Sequence, residues 1–315
     1  MSKIAYIYPG QGAQKAGMGA DFYENSEIAR YIFDQAGEEL DLDMKELCFE
    51  ENDRLDLTEY TQAAMVTTCL AMTRVAESKG LKADITAGLS LGEYPAIAAA
   101  GGMNDMDAIR LVRKRGILMQ NTVPAGEGAM CAVISMAAEE IEKVIEPIAD
   151  VSVANYNCPG QIVITGKTDA VEEAAAKLKE AGARRTIMLN VSGPFHSQML
   201  VPAGEKLAEE LEHTRFHELR IPYVTNVTAE KVTDIRETPG LLTTQISSPV
   251  RWMQSMERMI ADGVDTFVEI GPGKTLEGFL RKIDRSVKVF HISQWEDVDK
   301  VCEKLADGGN RMEES

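Results

Sequence analysis

Basic residues are scarce in this chain of 315 residues: 33 Lys and Arg stand against 50 Asp and Glu, a formal charge of −17. A surface with that mean field opposes the clustered cationic contacts a phosphate backbone needs, which excludes nucleic acid as the expected partner. Histidine is rarer still, with four residues. His213 and His217 lie four apart, but the segment is not His-Glu-x-x-His and no further ligand cluster accompanies it, so no metal site is expected. The five cysteines (Cys48, Cys69, Cys131, Cys158 and Cys302) are scattered without a Cys-x-x-Cys pair, the pattern of reduced thiols in a cytosol. Long apolar runs are also missing. The weakly polar stretch from Ile85 to Met103 is broken by Glu93, Pro95 and several glycines, so no membrane span is expected. Met1-Ser-Lys3 runs straight into an apolar strand pattern with no basic start and no cleavage site, and the expected location is therefore cytoplasmic. Asn190-Val-Ser and Asn226-Val-Thr match a glycosylation triplet, which has no meaning without a secretory route.

What is present is ordinary globular material, 44% apolar and 26% charged. The length is that of about two domains or one large one. Ile4 to Tyr8 is an apolar run stopped by Pro9-Gly10, which predicts a buried strand and a tight loop. Helical spacing covers Tyr60 to Lys79, with Thr58 available as a cap. A second buried strand is expected at Ile85 to Leu89, a helix through Ala100, and another from the Asn104-Asp105 cap to about Asn121. The rhythm then changes to strand, helix, two strands around Cys158-Pro-Gly160, helix and strand, ending near Val191. That βαββαβ order is the ferredoxin-like unit. Helices near Ala203–His213 and Val250–Ala261 and strands at Ile221–Asn226, Thr266–Ile270 and Val287–Ile292 follow. The polar end, Gly308 to Ser315, reads as frayed. The expected fold is thus α/β: a large hydrolase-like subdomain with a parallel sheet (residues 1–124 and 193–315) carrying a small inserted ferredoxin-like subdomain (residues 125–192).

The strongest chemical signal is Gly88-Leu-Ser-Leu-Gly92 between a predicted strand and a predicted helix. Glycines at both ends relieve the clash of a sharp strand-to-helix turn and present Ser90 at a helix N-terminus, the nucleophile-elbow pattern. Such a serine needs a base. His213 and His217 read as exposed helix-end residues and His291 as a structural strand residue. His196, in the turn-rich Ser192-Gly-Pro-Phe-His-Ser197, sits where a loop can hold an imidazole in a cleft. Arg115 has Leu111, Val112, Leu118 and Met119 at its helical neighbours, which places it on the buried stripe. A buried guanidinium needs an anion, either an internal carboxylate or one on a ligand. Two glycine-rich loops fail as nucleotide motifs. Gly10-Gln-Gly-Ala-Gln-Lys15 has Lys where a third glycine belongs, and Gly273-Lys-Thr275 has Val268 where a phosphate loop begins.

Gly10-Gln-Gly-Ala-Gln14, Gly88-Leu-Ser-Leu-Gly-Glu93, the Arg115 helix ending in Leu118-Met-Gln120, Gly193-Pro-Phe-His-Ser197, Gln245-Ile-Ser-Ser-Pro-Val-Arg-Trp252 and Glu269-Ile-Gly-Pro-Gly273 together resemble the malonyl-CoA:acyl carrier protein transacylase family over almost the whole chain. The resemblance implies ping-pong acyl transfer with Ser90 as nucleophile and His196 as base. It implies an oxyanion hole from the backbone N–H groups of Gln11 and Leu91, and the Gln245 backbone carbonyl as the group orienting His196. Arg115 would bind the malonyl carboxylate, with Met119 and Phe195 in the pocket. It also implies malonyl-CoA and an acidic acyl carrier protein as partners of a monomer that needs no cofactor beyond these thioesters. Arg184-Arg185 and Arg281-Lys282 are the basic pairs that such a carrier could meet. Leu89 departs from the family, many members of which carry His there. Phe195 accompanies malonyl rather than methylmalonyl use in related polyketide acyltransferases. A polyketide-pathway acyltransferase and a serine thioesterase or hydrolase are the alternative functions.

Overall fold

The computed structural model describes residues 2–191 and 193–310. The large α/β unit begins with β1 (Lys3–Tyr8), then α1 (Ala20–Asn25), α2 (Glu27–Leu40) and α3 (Met44–Phe49), three helices not anticipated above. α1 and α3 span six residues each, too short to show a helical period. Their neighbourhood does carry cap signals: Ser26 accepts from the Ala29 N–H, and Asp43 accepts from Lys45 and Glu46. α4 (Thr58–Ser78), β2 (Ile85–Gly88), a 3₁₀ turn at Ser90–Gly92, α5 (Glu93–Ala99) and α6 (Asp105–Thr122) complete the first half. Thr58 is the first helical residue of α4, and Leu57 occupies the cap.

The middle of the chain forms β3 (Gly128–Ile134), α7 (Ala138–Ile145), β4 (Val151–Cys158), β5 (Gln161–Lys167), α8 (Thr168–Glu180) and β6 (Arg185–Met188). Its four-stranded antiparallel sheet runs β4-β5-β3-β6, with α7 and α8 packed on it. β4 runs on to Cys158, beyond the expected end at Asn155, because Pro159-Gly160 makes a two-residue turn with Gly160 at φ +72°. β6 stops at Met188, short of Val191, where the chain bends toward the cleft.

The chain then returns through α9 (Val201–Glu212), β7 (Tyr223–Val224), β8 (Lys231–Val232), α10 (Thr238–Gln245), α11 (Trp252–Ala261), β9 (Val264–Ile270), α12 (Thr275–Ile283), β10 (Lys288–Ile292) and α13 (Trp295–Asn310). α11 starts at Trp252 rather than at Val250, and β7 is only two residues long. Of the end expected to fray from Gly308, residues 308–310 still belong to α13, and 311–315 lie outside the described residues.

The large sheet has the order β10-β9-β1-β2-β7-β8, parallel throughout except at β8. β1 pairs with β2 so that Tyr8 faces Gly88, and both strands end there side by side. The loops Pro9-Gly10-Gln11 and Leu89-Ser90 therefore leave the sheet together at its carboxyl edge, where an open α/β sheet places its site. One face of the sheet is covered by α4, which is buried along most of its length, with α6 packed against it. Val250 pairs with β4 of the small sheet, its N–H donating to Ala154 O at 2.8 Å and its carbonyl accepting from the Tyr156 N–H at 2.9 Å, and the N–H of the next residue, Arg251, donates to Asn226 O, just past β7 of the large sheet, at 3.0 Å. Among the described residues no helix is long and apolar enough to cross a membrane, and no group of His, Cys, Asp and Glu could hold a metal ion.

Candidate active site

The elbow is sterically specified. A Cβ on Gly88 would lie 1.9 Å from the carbonyl group of Gly92, and one on Gly92 would lie 2.2 Å from Tyr8 O. Between them Ser90 takes φ +51°, a left-handed conformation that costs an L residue about 1–3 kcal/mol. Asn226, just past β7, holds that turn. Its Oδ1 accepts from the Ser90 N–H at 2.6 Å, and its Nδ2 donates to Gly88 O at 2.7 Å.

Ser90 Oγ lies 2.7 Å from Nε2 of His196, although 106 positions separate them. His196 is itself left-handed at φ +62° and is 3% exposed. Its Nδ1 faces two carbonyls, Gln245 O at 2.9 Å and Ser248 O at 3.1 Å. Carbonyls only accept, so Nδ1 carries the proton and Nε2 is left as the acceptor for the serine hydroxyl. Burial, reinforced by the nearby Arg115 cation, pushes the His196 pKa down to about 4. The imidazole is therefore neutral, and able to accept a proton, throughout the neutral range.

Arg115 is 1% exposed on α6. Its Nη1 donates to Gln62 Oε1 at 2.9 Å, and its Nη2 donates to Gln245 Oε1 at 3.1 Å and to Ser90 Oγ at 3.2 Å. The Tyr94 ring lies 5.3 Å from the guanidinium carbon. Among the described residues these acceptors are all neutral, and Nε has no partner. Burial lowers the pKa of Arg115, but a guanidinium stays charged in the neutral range. The internal carboxylate that would make this a structural salt bridge is absent from its contacts, which leaves a buried cation beside a serine hydroxyl.

Ser90 and His196 open on a cleft of ≈ 420 Å³ between the two sheets, lined also by Gln11, Asn155, Asn157 and Phe195, with Arg115 buried behind Ser90 Oγ. Gln11 comes from the loop after β1, with its side chain donating to Thr58 Oγ1 at 3.1 Å, and Leu91 follows Ser90 in the 3₁₀ turn. Phe195 faces the cleft. Met119 is set behind Gln62, whose Nε2 approaches its Sδ at 3.4 Å. Met119 thus meets the clamp through Gln62. His213, His217 and His291 do not line the cleft. Glu269, next to last in β9, accepts from the backbone N–H groups of Leu276 at 3.1 Å and Glu277 at 2.8 Å. It thereby holds the start of α12, whose Thr275 and Leu276 form the cleft wall.

The site also uses residues that spacing did not single out. Asn226 was visible only as part of a glycosylation triplet. Gln62 is an amide within a buried helix, a polar interruption that could have marked it. The Gln245 side chain, not only its carbonyl, is engaged: Nε2 donates to Ser90 O at 3.0 Å and to Glu93 Oε2 at 2.6 Å.

An elbow serine hydrogen-bonded to a neutral histidine on an α/β sheet, with a buried arginine at the same hydroxyl, is an arrangement fit for acyl-transfer chemistry, and the comparisons with known proteins give the class as an acyltransferase. Residues 5–296 match the acyl transferase domain family. The chain is 44% identical over 310 residues to the malonyl CoA-acyl carrier protein transacylase of Bacillus subtilis (strain 168), covering 97% of this chain and 98% of that protein. A crystal structure of the malonyl CoA-acyl carrier protein transacylase from Clostridium perfringens superimposes with a TM-score of 0.95 at 42% identity, covering 99% and 100% of the two chains. A malonyl-transacylase solved in complex with a type II PKS acyl-carrier protein matches at 0.93 and 36%, covering 96% of this chain and all of that one. This chain belongs to the malonyl CoA-acyl carrier protein transacylase family.

Proposed function

We propose that the protein transfers malonyl from malonyl-CoA to the phosphopantetheine thiol of an acyl carrier protein, supplying extender units for fatty-acid synthesis. The observation that carries this reading is Arg115: a buried cation whose own contacts are neutral, 3.2 Å from the Ser90 hydroxyl. Malonyl and acetyl thioesters differ by one carboxylate, and malonyl brings an anion into direct contact with a guanidinium whose own hydrogen-bond partners are neutral. Acetyl offers the guanidinium no acceptor and leaves Nε without a partner, and an unpaired buried polar group discriminates more strongly than a difference in size.

In the first half-reaction His196 Nε2 takes the Ser90 proton as Oγ attacks the thioester carbonyl. The backbone N–H groups of Gln11 and Leu91 receive the developing oxyanion, a contribution of about 3–4 kcal/mol per donor. The C–S bond breaks, and His196 returns the proton to the CoA thiolate. In the second half-reaction the same imidazole deprotonates the carrier thiol, which attacks the Ser90 ester and restores the hydroxyl. The Gln245 and Ser248 carbonyls steady the imidazolium in both halves, so no carboxylate orienter is required. Phe195 fills the cleft beside the acyl group, which favours malonyl over branched malonyl units.

The scheme draws on CoA and phosphopantetheine thioesters and on no cofactor, and we place it in a monomeric cytoplasmic enzyme with neither nucleic acid nor membrane as partner. Feeding a polyketide carrier is the second reading, favoured by the likeness to the transacylase bound to a type II PKS carrier. Incubation with malonyl-CoA followed by intact-mass measurement tests the proposal. A single malonyl adduct, absent in Ser90→Ala and discharged by holo carrier protein, is expected. Steady CoA release with no adduct and no need of carrier would mean a thioesterase or hydrolase.

A further inference from the structure

Glu93 is fully buried in the first turn of α5, three residues beyond Ser90, and the acyl-transfer scheme leaves it without a task. Its Oε2 accepts from Gln245 Nε2 at 2.6 Å and from the Asn226 backbone N–H at 3.1 Å. At its other end the Gln245 amide presents Oε1 to Arg115 Nη2 at 3.1 Å. One amide thus lies between a buried carboxyl and a buried guanidinium, donor end toward the first and acceptor end toward the second. That orientation stabilises both charges and fixes which way the amide faces.

We propose that Glu93 is the internal counter-charge of Arg115, coupled to it through the Gln245 amide, and that it takes up a proton when the carboxylate of an acyl group reaches Arg115. The inference rests on reading Arg115 as the carboxylate clamp. Without acyl group, one buried cation is balanced by one buried anion across the amide. A malonyl carboxylate adds a second anion in a region of low dielectric, where two negative charges around one guanidinium are costly. A proton drawn from water onto Glu93 restores the balance, and it returns to water when malonyl leaves for the carrier thiol. A neutral carboxyl still accepts from Gln245 through its carbonyl oxygen, so the amide keeps its direction.

Burial holds the Glu93 carboxyl up at about 7, opposed by its hydrogen bonds and by Arg115, so the proton can be exchanged near neutrality. The other charged or titratable groups around it are Arg115 from α6, Tyr94 on its own helix and Tyr223 from β7, with His196 beyond Arg115. Burial raises Tyr94 to about 12 and Tyr223 well above the usual phenol range, and His196 is neutral above about 4. Glu93 is the member of this group that changes charge near pH 7.

Linkage fixes the sign. A ligand anion raises the carboxyl pKa further, so affinity for that anion grows as pH falls toward the pKa of the free enzyme and levels off below it. The test is the ratio of kcat/KM for malonyl-CoA to that for acetyl-CoA, from pH about 9 to about 6, in the wild type and in Glu93→Gln. Dividing by acetyl-CoA cancels the titration of the CoA phosphates. The wild-type ratio is expected to rise at least about fivefold on lowering the pH to about 7 and then to flatten. Glu93→Gln is expected to hold the low-pH ratio at every pH. A flat wild-type ratio, or a Glu93→Gln ratio that keeps the wild-type slope, overturns the proposal. An infrared difference titration of wild type against Glu93→Gln follows the carboxyl without turnover: in an Arg115→Leu background its titration should move to higher pH, and an unmoved titration overturns the pairing. A wild type that loads no malonyl would instead overturn the functional reading, and the infrared titration would still decide the pairing.

Discussion

Ser90 and His196 each occupy a left-handed backbone conformation, so the nucleophile and base of the proposed mechanism are held in strained backbone that their surroundings must offset. Removing the base in His196→Ala should slow Ser90 acylation by about 10²–10⁴-fold, measured as adduct formation in rapid quench. Because the His196 pKa is depressed to about 4, acylation by acetyl-CoA should be flat through neutrality and fall only as pH drops through that value, where the imidazole becomes protonated and cannot accept. A decline beginning near 6.5 would show that the imidazole is not desolvated as the structure has it. Arg115→Ala should lose malonyl transfer while gaining in relative activity with acetyl-CoA, as measured by competing the two thioesters; an unchanged preference would refute the clamp. Ser90 was legible because Gly-x-Ser-x-Gly is a local steric rule, and Arg115 because four apolar helical neighbours placed it indoors. Glu93 and Asn226 were not, because their roles depend on partners 152 and 136 positions away.

At the scale of elements, the elbow depends on three strand ends meeting: β1 at Tyr8, β2 at Gly88 and β7 beside Asn226. Gly88→Ala or Gly92→Ala would drive a methyl into backbone at 1.9 or 2.2 Å, which no rotamer change can relieve. Either should destabilise the protein by more than about 3 kcal/mol or abolish soluble expression, as read from urea unfolding midpoints. The strand at Ile4 and the helix carrying Arg115 were legible from apolar runs and an Asn104 cap whose Oδ1 does accept from Asp107 N at 2.8 Å. α1 and α3 were not: six-residue helices owe their existence to packing on α2 and α4, and propensity over one or two turns is too weak to reveal them.

For the molecule as a whole, the segment from Gln245 to Arg251 joins both sheets to the site: Gln245 and Ser248 carbonyls hold His196, Val250 pairs with β4 of the small sheet, and the Arg251 N–H donates to Asn226 O just past β7 of the large one. The cleft between the sheets is thereby spanned by one continuous strap. The charge of −17 sets a second whole-molecule constraint, because an acidic carrier is repelled until it comes within about 8–10 Å of a local basic patch. Arg184 and Arg185 are exposed at the start of edge strand β6, whereas Arg281 already pairs with Glu277. Charge reversal of Arg184 and Arg185 to Glu should raise the KM for carrier protein several-fold, most clearly at low salt, and leave acylation by malonyl-CoA unchanged; equal effects on both half-reactions would exclude a docking role.

The sequence by itself determined the α/β class, the elbow, the burial of Arg115 and the order of the small antiparallel unit, since each follows from local sterics or from periodicity within one element. The 2.7 Å approach of His196 to Ser90, the second carbonyl, Ser248 O, that shares its Nδ1, and the glutamine amide that links Glu93 to Arg115 were decided only by the tertiary structure. Those relations join residues far apart in the chain, and their energies come from burial and hydrogen-bond geometry that exist only once the two sheets have closed around the cleft.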